Sequence, residues 1–468
     1  MQDLWRRSAI ELAKMIALKE VSSTEVVEAH LSRIAEVNPK LNAVVRVLGD
    51  EARAAALEAD RKVGAGQALG PLHGVPITVK ENIDMAGLPT TNGLPALAAV
   101  PAPVDAPVVE RMRRAGAIAI GRTNLPDMGL RVHTHSSLHG LTRNPWGRDF
   151  TAGGSSGGEG SALASGMSPL GLGNDIGGSL RNPAHACGVA SIRPTAGLVP
   201  DAHTIPAPDR SLSFQTMAVQ GPMARRVADV RLGLEILAGA HPRDPWSYDP
   251  PARTGAATCR VALVAAPPGG STHPAVEAAT RRAADALADA GYAVEEACPP
   301  RYEEVADDWL TFLLTDLSAV MDQMRPLMGE DALRFIDATY AHRSALSDAI
   351  GLSRLMTARD GLAREWSLFM DRYPLVLTPT WTTPPFQHGF DVQDQESTVA
   401  VLSLIRPVVV ANYLGLPSAA VPAGRDPDSG APIGVLINGR RMADFQCLDA
   451  AEVIEARLSL PTPIDPSW

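Results

Sequence analysis

With 468 residues, 45% of them hydrophobic, the chain can bury one large core or two ordinary ones, and its four cysteines, Cys187, Cys259, Cys298 and Cys447, are too scattered for a disulfide framework or thiolate zinc site. A net charge of −10, with no basic cluster longer than pairs such as Arg113-Arg114, argues against nucleic acid or anionic membrane as the main partner. No apolar run reaches the roughly 20 residues of a membrane span, and Met1 to Arg7 lacks the pattern of a secretory signal, so a cytoplasmic protein is expected.

In chain order, residues 8–37 read as helices. Ser22-x-x-Glu25 is a capping box, followed at helical spacing by Val26, Val27, His30, Leu31 and Ile34. An Ala-rich helix covers about 50–63, and short apolar runs at 75–79 and 117–120 read as buried strands with a helix at 106–115 between them. Residues 153–178 contain ten glycines, more than an ordinary helix or strand interior accommodates, and are a candidate site. A β-α-β unit spans the strand Cys259–Ala266, the helix His273–Ala290 and the strand Tyr292–Glu296. Residues 303–370 read as mostly helical, Leu375–Thr380 as a strand and 401–460 as mixed. The Pro-rich stretch 242–253 is the best seam, yet no true linker or repeat appears. Alternating strands and helices predict an α/β fold, one mixed-sheet domain with a variable helical part.

Lysine occurs only at Lys14, Lys19, Lys40, Lys62 and Lys80, and every other cationic side chain apart from histidine is arginine. Arginine stays charged at working pH, whereas a buried lysine can lose its proton and act as a base. Lys80, the last lysine, closes the apolar run Val75–Val79, where the competing reading is a surface lysine snorkelling from a strand end.

Two serines compete as nucleophile. Gly153-Gly154-Ser155-Ser156-Gly157 satisfies the G-x-S-x-G pattern of an esterase elbow, but the preceding Asn144–Thr151 reads as polar and turn-like rather than as the required strand. Ser179 ends Gly171-Leu-Gly-Asn-Asp-Ile-Gly-Gly-Ser179, where paired glycines let the N–H groups of Ile176, Gly177, Gly178 and Ser179 converge as an oxyanion hole. Taken alone, a Gly-Gly-Ser turn is more often structural. His133-x-His135-x-x-x-His139 has metal-like spacing but no carboxylate closer than Asp127, and no Asp/His pair links to either serine.

The run 153–197 (GGSSGGEGSALASGMSPLGLGNDIGGSLRNPAHACGVASIRPTAG) resembles the signature of the amidase-signature family, as do GVPITVKENID (74–84), GRTNLPDMG (121–129), TRNPW (142–146), LVLTPT (375–380) and LGLPSAAVPAG with PIGVLINGR (414–424, 432–440). The resemblance covers nearly the whole chain. It implies one domain over 1–468 with a central mixed sheet flanked by helices on both faces, a signature core at about 70–200 and a helical substrate-shaping region at about 300–400. It also implies Ser179 as nucleophile, Ser155 after a cis peptide as bridging serine and Lys80 as base. Ser156, Asp175 and Arg181 would then hold the loops around them. Asn174 stands where the family usually has Thr or Ser, and Glu159 replaces the commoner Ser.

The expected activity is hydrolysis of a carbon–nitrogen bond in an amide, aryl amide or carbamate (urethane) through an acyl-enzyme, with neither cofactor nor metal. The expected partner is a small amide-type molecule, and a homo-oligomer is compatible with the composition. Residues 126–139, with Trp309, Phe312, Met321, Met324, Phe335 and Tyr340, are the expected pocket walls or core. The runner-up is the glutaminase subunit of a tRNA-dependent amidotransferase. A G-x-S-x-G esterase or a non-catalytic scaffold comes behind both.

Overall fold

Side chains alternate between the two faces of a strand, and in this chain both faces are apolar. Val261 and Leu263 join one hydrophobic cluster and Ala262 and Val264 another; Leu375 and Leu377 divide likewise from Val376, and Val435 and Ile437 from Leu436. Such strands need helices on both sides. The computed structural model, which describes residues 3–468 except 206, 208 and 252–257, has that architecture. On the first face pack Ala9–Ala17, Pro107–Arg114, Val227–Leu237, Pro274–Asp289 and Asp444–Leu458. On the second pack Gly157–Ala164, Arg181–Cys187, Tyr302–Ser318, Ala349–Arg372 and Arg406–Leu414.

The strands of the main sheet are β1 (Val44–Val47), β2 (Pro76–Lys80), β3 (Ile118–Thr123), β4 (Leu170–Asp175), β5 (Ala190–Arg193), β6 (Val219–Ala224), β7 (Arg260–Leu263), β8 (Ala293–Glu296), β9 (Leu375–Pro379), β10 (Ser418–Arg425) and β11 (Pro432–Gly439). Their spatial order is β1-β3-β2-β4-β6-β5-β10-β11-β9-β7-β8. β2 runs parallel to both β3 and β4, and β7 to both β8 and β9; the other pairs are antiparallel. The α/β reading and the β-α-β unit at 259–296 therefore hold, with the first strand of that unit shortened to Arg260–Leu263. The capping box at the start of Ser23–Leu41 forms in both directions, Glu25 N–H to Ser22 Oγ at 3.0 Å and Ser22 N–H to Glu25 Oε2 at 2.8 Å. Of the Pro-rich seam, 252 and 253 lie outside the described residues. Among the described residues no single helix is long and apolar enough to cross a membrane.

The glycine-rich stretch departs from expectation. It contains regular structure, the helix Gly157–Ala164 and strand β4, almost wholly buried at the centre of the fold. Its small residues serve close packing. A Cβ on Gly158 would lie 2.4 Å from Asn124 N and 2.8 Å from Ala43 O, both main-chain atoms. The segment before Ser155 also differs, since Gly147–Thr151 is a strand, but it pairs with Arg143–Asn144, bridges through Phe150 to Gln387 and stays apart from the main sheet.

Gly158→Ala is expected to lower stability by about 1–3 kcal/mol through overpacking against immovable backbone. Thermal unfolding measures it, and an unchanged midpoint would contradict this packing.

Candidate active site

The period of two in β2 sets the first site residue. Ile77 and Val79 belong to the first apolar cluster, so Thr78 and Lys80 point to the opposite face. Lys80 is fully buried. Its Nζ donates to Ser155 Oγ at 2.8 Å and to Asn174 Oδ1 at 2.6 Å. Asn174 Nδ2 donates onward to Asn82 Oδ1 at 2.9 Å. Asn174 thus bonds the lysine amine directly. Burial lowers the Lys80 pKa to about 7, against the opposing pull of Asp175 and Glu159.

Glu159 lies behind the lysine, fully buried, its carboxyl accepting from Thr78 Oγ1 and, at 2.8 Å, from Thr123 Oγ1. Burial raises it to about 7, against those bonds and the Lys80 charge. Here a sequence departure has a definite place: the residue that differs from the commoner Ser reaches the strand face that carries the amine.

Ser155 follows a cis peptide bond from Gly154. Ser179 lies in the turn after β4, and Ser156 N–H donates to its carbonyl at 3.3 Å. The side chain of Asn182 ties the two loops together, its Nδ2 donating to Gly154 O and Gly177 O at 3.1 Å each while Trp381 Nε1 donates to its Oδ1 at 2.8 Å. Ser155 and Ser179 open on one cavity of about 420 Å³.

The turn itself is held by a buried ion pair. Arg181 donates to Asp175 through Nε and Nη2 at 3.0 Å each, with both side chains shut away from water. Asn412 Nδ2 adds a bond to Asp175 Oδ1 at 2.8 Å. Burial alone would raise the Asp175 carboxyl, but the Arg181 guanidinium carries it well below the usual carboxylate range.

Asp175 Oδ1 also accepts the Gly178 N–H at 2.8 Å. This corrects one expectation: Gly178, at φ +93°, turns its N–H back to the carboxylate instead of toward the cavity. Among the described residues the N–H groups of Ile176, Gly177 and Ser179 donate to no protein acceptor. Ser156 contributes its backbone, for its buried Oγ has no partner among the described residues.

The three histidines face separate partners. His133 Nδ1 meets Thr151 Oγ1 at 2.8 Å, His135 Nδ1 meets Asp331 Oδ2 at 3.0 Å and His139 Nε2 meets Glu81 Oε2 at 2.6 Å. Of the six aromatic and methionine candidates, Met324 lines the larger cavity, beside Leu313 and Leu317. Trp309 and Phe335 line a tighter apolar recess of about 60 Å³ that Ser179 also borders. Phe312 and Met321 are core, and Tyr340 packs against it. Sequence reasoning missed Asn82, Asn182 and Asn412; Asn82, inside the run 74–84, and Asn182, next to Arg181, lay within motifs it had singled out.

A family model described as Amidase matches residues 25–448. The chain is 44% identical over 460 residues to the indoleacetamide hydrolase of Bradyrhizobium diazoefficiens, covering 97% of this chain and 87% of that protein. It is 34% identical over 491 residues to one subunit of the glutamyl-tRNA(Gln) amidotransferase of Acidothermus cellulolyticus, covering 97% and 95%. The solved structure of 6-aminohexanoate cyclic dimer hydrolase superposes with a TM-score of 0.86 at 27% identity, covering 100% of this chain and 99% of that one.

Asp175→Ala would leave the Arg181 charge buried without its partner. It is expected to cost about 3–5 kcal/mol in chemical denaturation, and a loss under about 1 kcal/mol would show that the pair does not hold the turn.

Proposed function

Because this chain belongs to the amidase family and is a hydrolase of amide carbon–nitrogen bonds, we propose that Ser179 is its nucleophile, Ser155 the bridging acid and base, and Lys80 the base that drives both. The observation that carries the reading is the 2.8 Å bond from a fully buried Lys80 to Ser155, beside the cavity that Ser179 shares. Neutral Lys80 takes the Ser155 proton as Ser155 takes that of Ser179, and Ser179 Oγ attacks the carbonyl carbon. The free N–H groups of Ile176, Gly177 and Ser179 hold the developing oxyanion, with Gly178 shaping the turn. Ser155 then returns a proton to the departing nitrogen, and water, deprotonated along the same relay, releases the acyl group.

The substrate we propose is the amide of an arylacetic or similarly apolar acid. The 44% identity to an indoleacetamide hydrolase supports it, as do the cavity walls of Phe214, Leu313, Leu317 and Met324. A glutaminase component of an amidotransferase, represented among the relatives at 34%, is the second reading, and the polar residues Asn92, Asp201, His203 and Arg210 on the same cavity would suit its substrate. In this reading residues 70–200 carry the chemistry and 300–400 shape the substrate. The four cysteines are unpaired, which supports a cytoplasmic setting.

A panel of indole-3-acetamide, aliphatic amides, anilides, carbamates and esters should reveal turnover that Ser179→Ala reduces by at least about 10³-fold without unfolding the protein. Retained activity would remove Ser179 from the role.

The working form of Lys80 is neutral, so kcat/KM should rise as the pH passes upward through about 7. Glu159→Gln removes a negative charge that favours the protonated lysine, and the rising limb should move to lower pH in a kcat/KM profile.

A further inference from the structure

Parallel pairing sets Val79 of β2 against Leu172 of β4, so the chain just beyond them, Lys80 to Asn82 on one side and Gly173 to Asn174 on the other, runs side by side. The side chains join in a row. Asn82 Oδ1 accepts from Asn174 Nδ2 at 2.9 Å, Asn174 Oδ1 accepts from Lys80 Nζ at 2.6 Å, and Nζ meets Ser155 Oγ at 2.8 Å. Among the described residues Nζ has no further hydrogen-bond partner, and neither carboxamide has one outside this row. Both asparagines line the larger cavity with Ser155, so substituting them leaves the apolar clusters intact. The charges around the amine are Glu159 behind it, Asp175 next to Asn174 and bound by Arg181, Glu81 paired with His139, and Arg122, which donates to the Lys80 carbonyl.

A neutral amine has a single lone pair, and only that lone pair can take the Ser155 proton. A carboxamide has two unlike ends, an oxygen that accepts and a nitrogen that donates. With its oxygen toward Nζ, Asn174 holds an amine hydrogen and leaves the lone pair to Ser155. Turned over, it would give an N–H to the lone pair and occupy it. The protonated amine, a donor only, demands the oxygen by itself. Once the amine is neutral that demand lapses, and the bond to Asn82 Oδ1 is what keeps the nitrogen turned away. On the reading that Lys80 is the base of the relay, we propose that Asn174 is a positioning residue that orients the Lys80 amine for Ser155, and that Asn82 holds its carboxamide the working way round.

The test is a pH profile of kcat/KM, on the best amide of the panel above, for the wild type, Asn82→Leu, Asn174→Asp and the double variant. Asn82→Leu should lower the limiting value at high pH roughly five- to tenfold, the worth of one hydrogen bond. A carboxylate has no N–H to turn toward the amine, so Asn82→Leu made on top of Asn174→Asp should cost less than about twofold. Asn174→Asp should also move the rising limb to higher pH, because a negative charge beside the amine favours its protonated form. An equal loss from Asn82→Leu on both backgrounds marks a structural role and overturns the proposal, as does no loss in the wild type or a limb that Asn174→Asp leaves in place. Asn82→Ala stands in if the Leu variant does not fold. Lys80→Met separates the two readings. If it retains turnover, the relay itself fails; if it abolishes turnover while Asn82→Leu behaves as the wild type, only the orienting role is overturned.

Discussion

Among the described residues Lys80 has only neutral oxygens for hydrogen-bond partners, Ser155 Oγ and Asn174 Oδ1. Two buried arginines are treated differently, Arg131 resting on Asp391 at 2.8 Å and Arg181 on Asp175 at 3.0 Å, while Arg122 and Arg193 donate to main-chain carbonyls. Among the described residues no carboxylate lies within ion-pairing distance of Lys80. A guanidinium cannot shed its proton and must be compensated, whereas an amine can become neutral and needs only a lone-pair acceptor or donor beside it. The fold therefore sets these buried carboxylates against arginines that shape loops and leaves the lysine poised between its two states.

Glu159 completes that balance. Burial disfavours the charged form of an acid and of a base alike, so it drives the two groups toward each other, the carboxyl up and the amine down, until they meet near the same value. The threonines on β2 and β3 that bond Glu159 keep it on the sheet face rather than in the cavity.

Lys80 is legible in the sequence because its clue is local and compositional: a rare residue at the end of an apolar strand. The helix caps are legible for the same reason, since Ser22 and Glu25 are neighbours in sequence. The interior of 153–178 is not. Glycine density argues against regular structure when only propensity is weighed, and Gly158 is needed because Asn124 and Ala43, remote in the chain, press on it in the fold. Ser155 and the direction of the Gly178 N–H show the same limit. The first is reached by resemblance alone, and the second is set by a carboxylate whose orientation depends on Arg181 and Asn412.

Trp309 Nε1 donates to the carbonyl of Ile176 at 3.0 Å. The helix Tyr302–Ser318, which lines the cavity, is thereby bonded to the loop whose amides face the reacting carbonyl in the proposed mechanism. Recognition and rate are mechanically joined at this point. On that mechanism, changes in this wall, whether by drift or by engineering, would alter turnover along with selectivity. New substrates are reached more readily through Leu313, Leu317 and Met324, whose side chains meet the cavity without holding the loop.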